Sequence, residues 1–176
     1  MWQRQAKHCP LCGAGLARTQ VEGRERARCT DCRFVLYENP SCAAAGMVVD
    51  PHGRILLVRR AIEPFRGQWA LPAGYQEIDE DPAITAAREI LEESGIEVEI
   101  LRLIDLLFLP GQRVKPANLA VYLCRPTGGT LRNGDDTLEA AWFDPDALPS
   151  DLGFDNGPRI LAWLRHVRGE SGPRPE

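Results

Sequence analysis

Apolar and polar positions divide the chain into segments of different period. Cys42 to Val49 (CAAAGMVV) is an almost unbroken apolar run of strand length, and Asp50-Pro51-His52-Gly53 behind it is turn chemistry. Arg54 to Arg60 (RILLVRR) predicts a second strand, expected to return as the hairpin partner of the first. Asp81-Pro82 then announces a helix, as an N-cap residue followed by proline at the first helical position. Good helix formers continue to Ser94, and Gly95 stops the run where a left-handed cap is expected. Ile84, Ala87 and Leu91 share one stripe of this helix and are expected to face a core. Glu97 to Leu109 predicts one or two strands, Asn118 to Arg125 another, and Leu138 to Phe143 a third. Thr127 to Thr130 is read as a turn, Asp144 to Pro149 as a capped turn, and Pro158 to Val167 as a closing amphipathic helix. No internal repeat is present, and 169–176 is expected to be a disordered tail.

The predicted central helix carries an unusual charge pattern. Glu89, Glu92 and Glu93 lie three and four residues apart, so their carboxylates crowd one face over about one 5.4 Å turn. Such like charges repel, and only Arg88 is close by. A hard divalent cation, magnesium or manganese, is the natural counter-charge. A solvated acidic face is the plainer alternative.

Composition adds little to this and excludes some classes. At 176 residues, 44% hydrophobic and 26% charged, the chain suits one full domain with a small appendage. No apolar run approaches a membrane span and MWQRQAKHCP has no signal-peptide core, so a cytoplasmic location is expected. The net charge of −4 hides an asymmetry, because residues 1–40 alone carry +3. That surplus is too small to argue for nucleic acid, which is not an expected partner.

Residues 1–40 announce themselves by cysteine. Cys9-Pro-Leu-Cys12 and Cys29-Thr-Asp-Cys32 are two CxxC knuckles at zinc-site spacing. Four thiolates fill a tetrahedron, so this zinc is structural, and a segment so poor in aliphatic residues needs it to fold. His8 beside the first knuckle is expected to be exposed. The segment looks like a zinc ribbon, with Arg33 where a glycine is common. Tyr37 to Pro40 is the joint to a domain expected over 41–168.

The central stretch as a whole resembles the Nudix box: Gly74, five residues, Glu80, seven residues, then Arg88-Glu89-Ile90-Leu91-Glu92-Glu93-Ser94-Gly95-Ile96. The resemblance implies an α/β fold, the Nudix α/β/α sandwich with a mixed sheet. It also implies hydrolysis of the pyrophosphate bond of a nucleoside diphosphate linked to a moiety X. Under it Glu89 and Glu93 are the principal magnesium or manganese ligands, assisted by Glu92 and the backbone of Ala73 and Gly74. Arg88 orients the glutamates and Glu80 completes that network. Glu139, just before the aromatic pair Trp142-Phe143, is a further expected ligand, placed by strand alternation among apolar neighbours. Arg113, Lys115, Trp69 and Tyr75 are candidate substrate contacts, although Trp69, like Leu71, is a residue type that more often packs a core.

Within the family, the ribbon in front makes the chain look like the zinc-ribbon group. The SQPWPFPxS stretch of NADH pyrophosphatases is absent, since Leu106 to Pro116 is LLFLPGQRVKP, and the coenzyme A signature is missing from LLVRRAIEPFRGQW. WALPAGYQE, the joint and LEAAWF look most like the FAD and ADP-ribose type. The competing class is a nucleotide-sensing or nucleic-acid-binding regulator built on a Nudix domain. Such proteins commonly lose box glutamates, and all are present here. A homodimer and the identity of X stay open.

Overall fold

The computed structural model describes residues 2–111 and 115–168. The tail at 169–176 and Arg113 lie outside them. The chain divides into two compact units between Pro40 and Ser41.

The first unit opens with a short helix α1 (Trp2–Gln5) and is built on an antiparallel sheet of β1 (Leu16–Val21), β2 (Arg24–Cys29) and β3 (Val35–Leu36). Its buried residues are few: Cys9, Ala27, Cys29 and Leu36. So small a core cannot offset the chain entropy of ordering forty residues, and the four-cysteine cluster has to supply the rest.

The second unit has two sheets. One is mixed, in the order β7 (Ala73–Tyr75), β4 (Ser41–Val48), β9 (Ala117–Gly129), β8 (Ile96–Leu109). β4 and β9 run parallel, and their outer neighbours are antiparallel to them. The other sheet is β10 (Thr137–Phe143), β5 (Ile55–Arg60), β6 (Trp69–Ala70), all antiparallel. α2 (Pro82–Ser94) and α3 (Asn156–Val167) complete the unit. Strand alternation assigns the faces. Met47, Leu57, Val121 and Leu123 point into the cluster that holds Ile160, Trp163 and Leu164 of α3. Their neighbours Val48, Leu56 and Cys124 point the other way, onto Ile90 of α2. The two helices thus cover opposite sides, and the fold is the expected α/β/α arrangement.

Three expectations change. β5 is not the hairpin partner of β4: only Val49 and Ile55 bridge, and beyond the turn the two strands enter different sheets. β4 is apolar on both faces because both are covered, Met47 by the α3 cluster and Val48 by Ile90 of α2. The glycines at 128 and 129 belong to β9 rather than a turn, paired with Glu97 and Ile96. The core stripe of α2 is Thr85, Ala86, Ile90 and Ser94; Ile84 is 54% exposed and Leu91 is exposed too. Ile90 is the anchor, seated where Gly46 has no side chain, since a Cβ there would overlap it. Thr85 and Ser94 tolerate burial because their hydroxyls are bonded, Thr85 donating to Glu80 Oε2 at 2.9 Å with Asp81 O at 3.2 Å, and Ser94 donating to Ile90 O at 2.5 Å.

Candidate functional site

The helix of the box is fixed at both ends. Asp81 Oδ1 accepts from the amides of Ala83 and Ile84 at 2.8 and 3.0 Å, and Gly95 takes φ 73° at the C-cap. The last carbonyls of α2 are met from 130–137. Arg132 and Gly134 donate amides to Ser94 and Glu93, and the Thr137 hydroxyl donates to Glu93 O at 3.0 Å.

Along the exposed side of α2 one guanidinium organises three carboxylates. Arg88 grips Glu80 through two bonds, Nε to Oε1 at 2.6 Å and Nη2 to Oε2 at 3.0 Å. Its Nη1 donates to Glu89 Oε1 at 2.7 Å and Glu92 Oε2 at 3.0 Å, and Nη2 also reaches Tyr75 O at 3.1 Å. These bonds hold the Glu80 carboxyl well down, to about 2. Glu92 itself is exposed.

Glu89 and Glu93 turn inward, toward β7. Glu93 Oε2 accepts the Ala73 amide at 3.1 Å, and a Cβ on Gly74 would overlap the Glu89 carboxylate. Burial raises both acids, and each is further raised by carboxylates nearby. For Glu93 the result is about 8, against the pull of the Ala73 amide and Arg60. Two acids pushed toward neutrality beside one another, with hard oxygen donors, fit a divalent cation that would restore their ionised form.

These carboxylates border a cavity of about 360 Å³. Its charged part is Glu77, Glu89, Glu93, Asp136, Arg60 and Arg159, and its apolar part includes Ile62, Leu107, Leu109, Leu119 and Trp163. Tyr75 stands at the cavity, with Lys115 Nζ 3.9 Å from its ring centroid. Arg60 donates to Pro64 O at 2.8 Å and lies 5.3 Å from the Phe154 ring, which in turn packs against Phe65 with centroids 4.4 Å apart and planes tilted by 50°.

Two expected site residues are elsewhere. Trp69 is buried, edge-on to Phe143 at 4.8 Å, and packs the core instead of lining the cavity. Glu139 does not stand among apolar neighbours. A register shift between Thr137 and Glu139 breaks the alternation, the side chain is 54% exposed, and Arg59 lies 3.9 Å away. Asp136 is the acid that faces Glu93 instead. It sits in a Gly-Asp-Asp turn that reads as solvated, and sequence offered no sign of it. Arg60 and Phe154 were also missed; a charge ending an apolar strand was the one available hint for Arg60.

In the first unit the four cysteine sulfurs all lie within 4.8 Å of one another, with Cys9–Cys32 at 3.6 Å and Cys12–Cys29 at 3.5 Å. Zinc–thiolate bonds of about 2.3 Å give tetrahedron edges of about 3.8 Å, so the set fits zinc with no open position. The amides of Cys32 and Asp31 donate to Cys29 Sγ and lower its thiol to about 6, toward the ligating form. His8 is exposed.

Comparison with known proteins decides the family. The NUDIX domain model matches residues 40–164, and a Nudix N-terminal zinc-ribbon model matches 7–38. The chain belongs to the Nudix family. As a Nudix hydrolase it is 34% identical over 136 residues to a MutT-like protein of Streptomyces ambofaciens, covering 75% of this chain and 84% of that one. It is 33% identical over 138 residues to an ADP-ribose pyrophosphatase of Methanocaldococcus jannaschii, covering 78% and 80%. Among solved structures, a Nudix hydrolase from Nitrosomonas europaea superposes with a TM-score of 0.84 at 28% identity, over 95% of this chain and 96% of that one. This Nudix hydrolase is a pyrophosphohydrolase by family, and no helix among its described residues is long and apolar enough to cross a membrane.

Proposed function

We propose that the chain hydrolyses the pyrophosphate of a nucleoside diphosphate linked to X, with ADP-ribose and FAD as its substrate class. Water adds at one phosphorus, the bridging P–O bond breaks, and a nucleoside monophosphate and phosphoryl-X leave. The observation that carries the reading is the pairing of Glu89 and Glu93 on a cavity that Leu107, Leu109 and Leu119 also line. A dinucleotide-like substrate needs both, a charged seat for the diphosphate and an apolar one for a base or ring.

Glu89 and Glu93 would hold magnesium or manganese, with the Ala73 carbonyl and Glu92 beside them. When bound, the ion supplies charge neutralisation and an acidified water. Arg88 keeps the carboxylates aimed, and Glu80 keeps Arg88 in place. Arg60 offers its cation to a phosphate oxygen, while Leu107, Leu109 and Leu119 receive the ring. Tyr75 and Lys115 offer a stacking face and a charge at the rim. The names of the M. jannaschii relative and of a Streptococcus suis ADP-ribose pyrophosphatase, 26% identical with a TM-score of 0.61 over 78% of this chain and 97% of that one, agree with this class.

The test is a panel of ADP-ribose, FAD, NADH and NAD with magnesium. ADP-ribose and FAD should give AMP with a higher kcat/KM than NADH. No magnesium-dependent AMP from any of the four would overturn the reading.

A further inference from the structure

β8 is both a long strand and a sheet edge. Its fourteen residues pair with β9 on one side, and among the described residues no strand pairs with the other. Exposed edges are normally blunted by charge, proline or bulges. In β8 these devices are confined to the first part: Glu97, Glu99, Arg102, Asp105 and three register shifts all precede Leu106, and the Asp105 carboxylate accepts the Leu106 amide at 2.8 Å. From Leu106 to Leu109 the edge has neither charge nor proline.

The same stretch exposes apolar side chains. Leu106 is 65% and Phe108 62% exposed, and being two apart they share one face of the strand. Their alternates Leu107 and Leu109 line the cavity on the opposite face. Leu101 and Leu103 add two further half-exposed leucines. Together the four leave on the order of 400 Å² of apolar surface in water, the size of the largest patch on a typical monomer, which is often functional.

We propose that β8 is a dimer seam, at which a second copy of this chain pairs edge to edge and antiparallel about a two-fold axis. An antiparallel strand is its own complement, so each copy gives and receives the same backbone bonds. Two patches together with the strand edges approach the roughly 1,200 Å² at the lower end of specific interfaces. The arrangement also sends Glu97 and Glu99 of the two copies to opposite ends of the seam, which avoids like-charge contact. The apolar stretches then meet near the axis.

Sedimentation at tens of micromolar should give twice the 19.6 kDa chain mass. Leu106→Asp and Phe108→Asp should each sediment as one chain. Leu131→Asp, at an exposed leucine outside β8, should stay dimeric. A wild-type chain that sediments alone, or a dimer indifferent to both β8 substitutions, overturns the seam. Should circular dichroism show the variants unfolded, hydrogen exchange of the wild type decides. Slow outer amides over 101–109 that speed up on dilution support pairing, and concentration-independent exchange overturns it.

Discussion

The Ala73 amide donates to the Glu93 carboxylate at 3.1 Å, tying the strand before the box to the last turn of its helix. One hydrogen bond does not offset the burial of that acid, and its proton is held up to about 8. The helix therefore stores an electrostatic penalty that a cation would relieve.

Linkage makes this measurable. The ordinary value for the acid is 4.5, so its contribution to stability is present in full below that pH. It is lost as pH rises from 4.5 to about 8, because the unfolded chain releases this proton there while the folded state still holds it. In chelator, the Tm of the wild type should fall across this window more than that of Glu93→Gln. The difference should be on the order of a few kcal/mol, and magnesium should shrink it. Parallel Tm profiles of the two proteins would show that Glu93 is not under strain. At saturating magnesium, Glu93→Gln should lose at least ~100-fold in kcat with its fold intact.

Gly74 is required for space rather than for backbone freedom. A Cβ there overlaps the Glu89 carboxylate, so Gly74→Ala must push that side chain off Arg88. We expect kcat to fall at least ~10-fold, with the apparent magnesium affinity weakened. A variant with wild-type magnesium dependence would show that Glu89 has room to move.

Much of this geometry was legible in the sequence where the chemistry is local. The caps of α2 follow from Asp81, Pro82 and Gly95, and the Arg88 network with Glu80 is what the resemblance implies. What failed depended on distant partners. Two stripes of α2 satisfy the helical period, and the space at Gly46 chooses Ile90 over Ile84 and Leu91. A tight turn joins β4 and β5, yet tertiary packing sends them to separate sheets. Glu139 was misplaced because alternation assumes an unbroken register.

The ribbon separates cleanly from this site. Cys12→Ser removes one of four ligands from a unit with almost no apolar core. Zinc, measured by elemental analysis, should drop from about one per chain to near zero. Residues 1–40 should become protease-sensitive while magnesium affinity at the box holds. Purified wild-type protein with an intact first unit and no zinc would sink the structural-zinc account.

The last prediction contrasts two acids three residues apart. Asp136 lines the cavity, and its charge is among those that raise Glu93. It is held there by the loop that caps α2: Gly134 and Thr137 both donate to Glu93 O, and Ala61 donates its amide to Asp136 O at 2.9 Å. Glu139 has left the cavity for solvent and Arg59. Asp136→Asn keeps the shape and removes one charge, so Glu93 should ionise at lower pH and Arg60 should lose a neighbour. We expect Asp136→Asn to change the magnesium dependence and lower kcat/KM by ~10-fold or more, whereas Glu139→Gln stays within about twofold of wild type. Thermal unfolding of both variants separates a folding defect from a site defect. Equal losses in the two would mean that exposure on β10 is a poor guide to Glu139, and a loss confined to Glu139→Gln would reverse the assignment.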